Sequence, residues 1–332
     1  MPGPRTDQDV QRKVTAILRI LDEAEGPLGA RAIAGALLDQ GIQLTERAVR
    51  YHLQMMDHRG LTNCLGEPGR LITEQGREEL QNALVSDKLG FVISRIDSLA
   101  YRTTFDPDTG KGDVILNVSL VPEPGFPRAI EVMKQVFASG YSMGQLMAVA
   151  RPGERIGPMR VPAGQVAVGT VCSVTLNGVL LKKGVPMESN YGGLLQIHNR
   201  QPTRFTDLID YTGTTWDPLE IFIAGKLTSV LQAMGTGSGK IGAGFRQVPA
   251  ASRKQLEAIL ASLERRGLGG VIAIGRPSQP LLEIPVGFDM LGLVVVAGLT
   301  PMAAVVESGV PAVNKAMQTL VDYAALKPVS DL

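Results

Sequence analysis

Apolar residues recur at helical spacing three times within the first 60 residues. In each stretch they fall three, four or seven positions apart, which places them on one face of a helix. The stretches end at glycine or proline breaks, at 26–27, at 41 and at 60. The sequence therefore predicts three amphipathic helices, each with one buried face. Their apolar stripes are Val10, Val14, Ile17, Leu18 and Leu21, then Ala30, Ile33, Ala34, Leu37 and Leu38, then Val49, Leu53 and Met56.

Two short apolar runs follow the third helix, at 61–64 and 70–73, and flank the turn-rich segment 65–69. This pattern predicts a β-hairpin. Three helices followed by a hairpin are typical of a winged helix-turn-helix domain, which we place at residues 1–84. An alternative is that the three helices serve only for protein contact, because folds of this kind also have that use.

The third predicted helix has the features of a DNA recognition helix. Thr45 stands at the N-cap position and Gly60 at the C′ position. Between them, arginine, tyrosine and glutamine side chains point away from the apolar stripe, and such groups can contact phosphates and base edges. The candidate DNA-binding residues, including one from the second helix and one from the wing, are Arg31, Thr45, Arg47, Arg50, Tyr51, Gln54 and Arg70.

The charge of this region limits how it could bind DNA. Residues 1–90 contain eleven lysines and arginines and thirteen aspartates and glutamates, a net charge of −2. A protein that binds DNA without sequence preference needs a broad basic surface. We therefore expect affinity to come from a local patch on the recognition helix and from Arg70, with weak non-specific binding.

Strands rich in valine and isoleucine alternate with predicted helices in the remainder of the chain, as buried strands do. The sequence thus predicts an α+β or α/β protein, in which a winged helix-turn-helix is followed by a larger α/β regulatory domain at 113–328. The apolar segment 84–99 is predicted to be helical and to belong to a connector at 85–112. The predicted strands include 114–120, 166–174, 194–197, 270–274 and 293–296.

The α/β region contains an internal duplication. Val121-Pro122 reappears as Val248-Pro249, and Gly184-Val185-Pro186 reappears as Gly309-Val310-Pro311, 127 and 125 residues later. The two repeat halves are predicted at about 113–186 and 237–311. Similar halves tend to pack about a pseudo-two-fold axis, and the groove between them suits a small ligand. The alternative is that the duplication is purely architectural.

Two polar segments of the α/β region are predicted as anion sites. Segment 169–178 is predicted as a strand that runs into an Asn-Gly turn, and 210–218 as a loop of hydroxyls that enters a helix capped by Asp217. Backbone N–H groups at such positions favour carboxylates, although the threonines could equally serve only as caps and turns. The candidate effector-binding residues are Thr170, Cys172, Ser173, Asn177, Arg204, Thr214, Thr215 and Arg246.

The chain contains fragments of motifs for catalysis, cofactor binding and metal binding, but each lacks the surrounding secondary structure or residue spacing that the function requires. Segment 237–242 matches the letters of a dinucleotide fingerprint, but a predicted helix precedes it where a strand is required, so we predict a glycine-rich loop or hinge. The three histidines and two cysteines lack the spacing of metal ligands. We expect no metal, no cofactor and no enzymatic activity.

Composition sets the outer limits. At 332 residues, 44% hydrophobic and with a net charge of +1, the chain is too apolar to be disordered and long enough for two or three compact units. Its only cysteines, Cys64 and Cys172, lie far apart, which favours a reducing, cytoplasmic setting. No apolar run is long enough to span a bilayer, so no membrane association is expected.

Four segments give the chain a family resemblance: 91–105, 168–178, 190–193 and 213–222. Together with the winged helix, they resemble the NrpR family of nitrogen-regulation transcriptional repressors, which combine a ribonuclease R-type winged helix with an NrpR regulatory domain. The resemblance implies a homodimer that binds double-stranded operator DNA and senses the dicarboxylate 2-oxoglutarate through the α/β domain. Further candidate partners are PII-like proteins and the transcription machinery. The alternative is a metabolic enzyme or ligand-binding protein whose winged helix mediates protein contacts.

The mechanism predicted from this domain order is ligand-biased spacing of two recognition helices. In a symmetric dimer the helices must lie one turn of DNA, roughly 34 Å, apart to enter successive major grooves. A dicarboxylate that prefers a conformation with another spacing weakens DNA binding by its differential affinity for the two states. Segment 84–99 is the predicted carrier of that change.

Overall fold

The computed structural model describes residues 5–24, 26–82 and 90–332, and the side chains from residue 10 onward. The chain divides into two compact units between residues 89 and 90. Within the described ranges, no helix combines the length and apolar character that a membrane span requires.

The described part of the first unit contains four helices and a β-hairpin, in the order of a winged helix. The three predicted helices and the predicted hairpin are confirmed. The fourth helix was not predicted, because it carries a single large apolar residue, Leu80, among polar ones. The elements are α1 (Arg5–Glu23), α2 (Ala30–Asp39), α3 (Glu46–His58), β1 (Thr62–Cys64), β2 (Arg70–Ile72) and α4 (Glu74–Asn82).

One hydrophobic core holds the first unit together, and it consists of the predicted apolar stripes. Ile17, Leu37 and Leu53 are fully buried where α1, α2 and α3 meet. The hairpin joins this core because Leu28 bridges to Arg70 of β2. That bridge needs Gly69, which has a φ of 112° and would place a Cβ 2.3 Å from the Leu28 carbonyl.

The second unit consists of antiparallel sheets and the helices that cover them. Its described helices are α5 (Phe91–Arg102), α6 (Phe126–Ser139), α7 (Val174–Lys182), α8 (Pro218–Ala224), α9 (Val230–Thr236), α10 (Arg253–Arg265) and α11 (Thr300–Glu307). Its strands are β3 (Asp113–Pro122), β4 (Leu146–Ala150), β5 (Arg155–Ile156), β6 (Met159–Arg160), β7 (Gln165–Val171), β8 (Glu188–His198), β9 (Gln201–Asp210), β10 (Gly239–Pro249), β11 (Val271–Ile274), β12 (Met290–Val296), β13 (Val313–Asp322) and β14 (Lys327–Pro328).

Two five-stranded sheets organise these elements. The first sheet has the order β13-β3-β7-β4-β14 and the second has the order β11-β12-β10-β8-β9. Successive residues of β12 alternate between two cores: Val294 packs in one and Val295 in the other. Burial on both faces explains why strands such as β3, β7 and β12 show little polar alternation and are rich in valine, isoleucine and leucine.

The predicted duplication is confirmed by the order of elements. The first half contains, in order, β3, a 3-10 turn, α6, β4, β7 and α7, with the short hairpin β5-β6 inserted between β4 and β7. The second half repeats the series as β10, a 3-10 turn, α10, β11, β12 and α11. Each half then contributes one more strand to the opposite sheet. β8 follows the first half and pairs with β10, whereas β13 follows the second half and pairs with β3. The two sheets are therefore built by exchange of a strand.

Equivalent hydrogen bonds recur in the two halves. The Cys172 N–H donates to the Ile115 carbonyl at 2.8 Å, and the Ala297 N–H donates to the Gly242 carbonyl at 2.9 Å. The hydroxyl of Thr300 also donates to the Gly242 carbonyl. These bonds place the loop before α7 and the loop before α11 in matching positions, so the duplication extends to the level of single atoms.

The strand predicted at 166–174 is confirmed up to residue 171, whereas its last three residues and the Asn-Gly turn predicted after it are wrong. β7 ends at Val171, and Asn177 and Gly178 lie inside helix α7. The helix is buried nearly throughout, so its residues show no amphipathic period that would distinguish it from a strand. Gly178 is required there because a Cβ would stand 2.8 Å from the carbonyl oxygen of Ala100 on α5.

The glycine-rich segment 237–242 is not a loop or hinge throughout. Gly237 ends α9 in the left-handed conformation, and β10 begins at Gly239. The helix that was predicted before this segment is present, which removes the strand that a dinucleotide fingerprint needs.

The predicted connector at 85–112 is not a separate element. Part of it, 85–89, lies outside the described residues. From Phe91 onward it forms α5, whose buried residues Val92, Ile96 and Leu99 pack into the core of the second unit. The helix therefore belongs to the body of that unit, and the segment continues into β3 through a turn at 106–111.

Candidate functional site

Helix α3 separates a buried face from an exposed one. Thr45 caps its N-terminus, where the hydroxyl accepts a hydrogen bond from the Ala48 N–H at 3.2 Å. Val49, Leu53 and Met56 are fully buried, and with them His52 faces the interior. The residues between these positions, Arg47, Arg50, Tyr51 and Gln54, are exposed. The exposed face is therefore polar and carries two guanidinium groups.

The two arginines of this face differ in their surroundings. Arg50 forms an ion pair with Glu46 one turn earlier, whereas no hydrogen bond or ion pair joins Arg47 to another described residue. Tyr51 is 62% exposed and its ring meets that of His52 edge to face. Arg31, on α2, is exposed as well. An anion approaching α3 would find Arg47 available and would compete with Glu46 for Arg50.

Arg70 has a different position from the one predicted. Its Nε donates to Asp57 Oδ2 at 2.8 Å, and its side chain is 17% exposed. Asp57 lies near the end of α3 and also accepts a hydrogen bond from Thr62 of β1. Arg70 therefore fixes the wing to the recognition helix and is not presented to solvent as a phosphate contact.

A small internal cavity lies where the equivalent loops of the two halves meet. The loop before α7 contributes Cys172 and Ser173, and the loop before α11 contributes Ala297 and Gly298. Its volume is about 20 Å³, which is room for about one water molecule. The cavity lies between the halves, where a ligand groove was predicted, but it is too small to hold a dicarboxylate. Other lining residues used below are Ile96, Asn117, Tyr211, Asp217, Gly244 and Met317.

Arg246 is a buried cation beside this cavity. It is 1% exposed, and its two terminal nitrogens donate to the carbonyl and hydroxyl oxygens of Ser173 at 3.0 and 2.7 Å. Its Nε has no partner, and within the described residues no carboxylate pairs with it. Burial lowers the pKa of its guanidinium. A buried charge without a counter-ion is costly, so this position favours an anion.

The absence of a side chain at Gly244 leaves a space between Arg246 and the cavity, at the position where a Cβ would stand. That position lies 3.9 Å from Arg246 Nη2 and 3.8 Å from the Tyr211 hydroxyl. Glycine at this point leaves space between the cation and the phenol. Both groups are hydrogen-bond donors, so a carboxylate placed in that space would meet two donors.

Burial shifts the acids of the cavity wall toward their neutral forms. It raises the pKa of the Cys172 thiol to about 11 and raises the pKa of Tyr211 above its ordinary value. Burial, with a smaller contribution from Glu220, raises the pKa of Asp217 to about 6. Asp217 also caps α8, since it accepts hydrogen bonds from the Leu219 and Glu220 N–H groups. The predicted N-cap and helix start are confirmed.

The structure brings together some of the predicted effector residues. Cys172 and Ser173 line the cavity and Arg246 binds Ser173. Thr170 is adjacent, because its hydroxyl accepts a 3.4 Å hydrogen bond from the Asn117 side chain.

The other predicted effector residues lie elsewhere. Asn177 donates to the Ser189 hydroxyl, and Arg204 lies on the exposed strand β9 beside Gln196. The Thr214 hydroxyl bonds to the backbone of Trp216, which is the turn-forming role weighed as the alternative. Neither Thr214 nor Thr215 lines the cavity.

Three wall residues escaped the sequence analysis as ligand contacts. Asn117 is buried in the middle of β3, Tyr211 directly follows strand β9, and Asp217 was identified only as a helix cap. Asn117 could have been suspected, because an amide inside a run of valine, isoleucine and leucine must be satisfied by a specific partner.

Comparison with known proteins matches most of the chain to two domain families. Residues 89–328 match the family described as NrpR regulatory domains NRD1 and 2. The chain belongs to the NrpR family. Residues 15–80 match the ribonuclease R winged-helix domain, the other part of the expected NrpR arrangement.

Similar NrpR proteins come from methanogens. The chain is 41% identical to the global nitrogen regulator NrpRI of Methanosarcina mazei, over 97% of its own length and 99% of that protein. It is 35% identical to the global nitrogen regulator NrpR of Methanococcus maripaludis over 94% of its length, and it spans 54% of that longer relative. These relatives are named as regulators, and the chain is accordingly not an enzyme.

A solved structure has the same fold. The chain superposes on a nitrogen repressor-like protein from Methanococcus jannaschii with a TM-score of 0.62 and 28% identity, covering 72% of this chain and 98% of that one. The mixed α/β architecture is therefore that of an NrpR-like protein.

Proposed function

We propose that this chain is a transcriptional repressor that binds operator DNA through α3 and controls nitrogen-metabolism genes. The observation that carries this proposal is the exposed polar face of α3, with Arg47, Arg50, Tyr51 and Gln54 opposite a fully buried stripe. Arginine and glutamine are the side chains that most often pair with guanine and adenine edges. The names of the methanogen relatives support the nitrogen-regulatory role.

The second part of the proposal is control by a dicarboxylate, for which 2-oxoglutarate is the leading candidate. Arg246 supports it, because a buried guanidinium with no carboxylate partner in the described residues favours an anionic ligand. The Tyr211 hydroxyl and the Ser173 loop offer further donors around the same space.

The small volume of the cavity links the ligand to DNA binding. A dicarboxylate is much larger than one water molecule, so it can enter only if the wall moves. We propose that the protein acts as a homodimer whose two α3 helices fit successive major grooves, roughly 34 Å apart, in the ligand-free state. The ligand-bound state then has a lower affinity for DNA.

Substitution of the two arginines tests DNA binding. DNA fragments that the native protein binds are first selected from genomic DNA and sequenced, which identifies a duplex for the assay. Fluorescence anisotropy at several salt concentrations then gives the affinity of the protein for this duplex. Arg47→Ala and Arg50→Ala should each weaken binding by about 1–3 kcal/mol if they contact bases, or lower the salt slope by about one if they contact phosphates.

Arg128→Ala is the matched control, because Arg128 is an exposed helical arginine that pairs with a glutamate, as Arg50 does, but lies in the second unit. It should leave affinity unchanged. If Arg47→Ala and Arg50→Ala bind the selected duplex as the native protein does, the proposed role of α3 is wrong. If millimolar 2-oxoglutarate leaves native affinity unchanged, the effector part is wrong.

A further inference from the structure

Strand β13 is irregular where it passes the cavity. Its pairing with β3 changes register between Lys315 and Thr319. Within this bulge Met317 has a φ of 51°, a conformation that is sterically unfavourable for a residue with a long side chain. Met317 is buried and lines the cavity. Strained backbone of this kind persists only where the surroundings hold it in place.

Three side chains hold the bulge. The Met317 N–H donates to Asn117 Oδ1 at 3.0 Å, and the Ala316 N–H donates to Glu220 Oε1 at 2.7 Å. The Met317 carbonyl accepts a 3.1 Å hydrogen bond from Arg95 Nε. The backbone of the bulge is thus bonded to side chains where a regular strand would be bonded to its neighbour.

Two other parts of the wall are less able to move than the bulge. Gly244 lies in β10, which is paired on both sides, with Gly192 opposite it on β8 and Val295 opposite it on β12. Cys172 and Ala297 are fixed by the equivalent backbone bonds of the two halves. Displacing these residues would break regular sheet pairing, whereas displacing the bulge breaks only side-chain contacts and relieves an unfavourable φ.

The third holder links the bulge to the start of the second unit. Arg95 lies in the first turn and a half of α5, and its neighbour Ile96 lines the cavity. α5 is the first element of the second unit and follows Gly90 directly. α5 is therefore the described element of the second unit that is nearest in sequence to the winged helix.

We propose that the β13 bulge around Met317 is the movable wall of the cavity, and that Arg95 is the positioning residue that transmits its displacement to α5. The inference rests on the proposed effector function. In this proposal Arg95 couples the binding of 2-oxoglutarate to the binding of DNA, but it contacts neither the ligand nor the DNA.

The test separates coupling from binding in the full-length protein. Calorimetry gives the affinity for 2-oxoglutarate, and anisotropy gives the affinity for the selected duplex with and without saturating 2-oxoglutarate. In the native protein the ligand should weaken duplex binding at least about fivefold. In Arg95→Ala this ratio should fall below about twofold, while each separate affinity stays within about threefold of native.

Two further variants sharpen the result. Arg102→Ala, an exposed arginine at the end of the same helix, should keep the native ratio. Arg95→Lys retains a cationic donor and should restore part of the coupling. A native ratio in Arg95→Ala would overturn the inference but not the effector function, whereas a native protein that binds no 2-oxoglutarate overturns both.

Hydrogen exchange in the native protein provides a measurement that needs no variant. Saturating 2-oxoglutarate should change amide protection in 314–319 and in 91–102 together. Ligand binding without any change in 314–319 would show that the bulge is not the moving wall, and would overturn the inference.

Discussion

Arg246 is unusual at the scale of single residues because its charge is buried without a carboxylate neighbour in the described chain. Its contacts are both with Ser173, and they leave Nε unsatisfied. Such an arrangement lowers stability, because desolvating a guanidinium costs more than two hydrogen bonds return. A residue that weakens the ligand-free fold is expected at a binding site, where the ligand supplies what is missing.

Arg246→Met separates the two roles of this residue. Without ligand, the free energy of unfolding should stay within about 1 kcal/mol of native or rise, because replacing a buried charge with an apolar group is often neutral or stabilising. Native protein with 2-oxoglutarate at a hundred times its Kd should gain about 2.7 kcal/mol, and this gain should vanish in the variant. Urea denaturation with and without ligand measures both.

Arg204→Met is the control, since Arg204 was also a candidate but lies exposed on β9. It should retain the full gain from ligand. A gain of native size in Arg246→Met would place the ligand elsewhere in the molecule.

The candidate residues show which site positions a sequence can reveal. Cys172 and Ser173 were named because segment 169–178 was interpreted as a strand that runs into an Asn-Gly turn, although that turn lies inside helix α7. Arg246 was named only as a cation that could complete an anion site, and no sequence pattern distinguished it from Arg204. Met317 was missed because its role depends on a contact with Asn117, which lies 200 positions away in the chain. Local patterns do not contain that information.

At the scale of elements, α3 and α7 illustrate opposite outcomes. α3 has a polar and an apolar face, so its period is visible in the sequence and its prediction is confirmed. α7 is buried on nearly every side, so its apolar residues fit a strand as well as a helix, and Asn177-Gly178 was interpreted as a turn. The packing of α7 against α5 determines that this segment is a helix, and this packing is visible only in the folded chain.

A pair of glycine substitutions tests the packing of α7. Gly178→Ala should lower the free energy of unfolding by about 1–3 kcal/mol, because the new Cβ would stand 2.5 Å from Thr103 Cβ and 2.8 Å from the Ala100 carbonyl oxygen. Gly235→Ala in α9, where no atom lies within 4 Å, should raise it by about 0.5 kcal/mol. Urea denaturation at fixed pH compares them.

The opposite signs distinguish packing from helix propensity, which favours alanine at both sites. If Gly178→Ala proves as stable as Gly235→Ala, the close approach of α5 and α7 is incorrect.

At the scale of the whole molecule, the exchange of β8 and β13 makes the two halves of the second unit depend on each other. Without the second half, the first sheet would lose β13 and β14, and β8 would lose β10 and remain as a hairpin with β9. An isolated hairpin is at best marginally stable in water. The repeat signal in the sequence indicated the duplication but not this exchange, because the repeated motifs end before the exchanged strands.

Truncation tests this dependence. Residues 90–332 alone should unfold in one cooperative transition, followed through Trp216, the chain's only tryptophan. Residues 90–236 alone should show no cooperative transition by the same fluorescence. A cooperative melt of the shorter fragment would mean that the first half folds independently.

The exchanged strands also bear on how such a chain could arise. A polypeptide that corresponds to one half of the second unit could complete its sheet only with the final strand of a second copy. It would fold as a strand-exchanged homodimer, so its folding would depend on concentration. When two copies are joined in one chain, the strand exchange becomes intramolecular and folding no longer depends on concentration. Once joined, the copies are free to diverge, and one could acquire a cation where its counterpart keeps a small hydroxyl, as Arg246 and Ser119 now do.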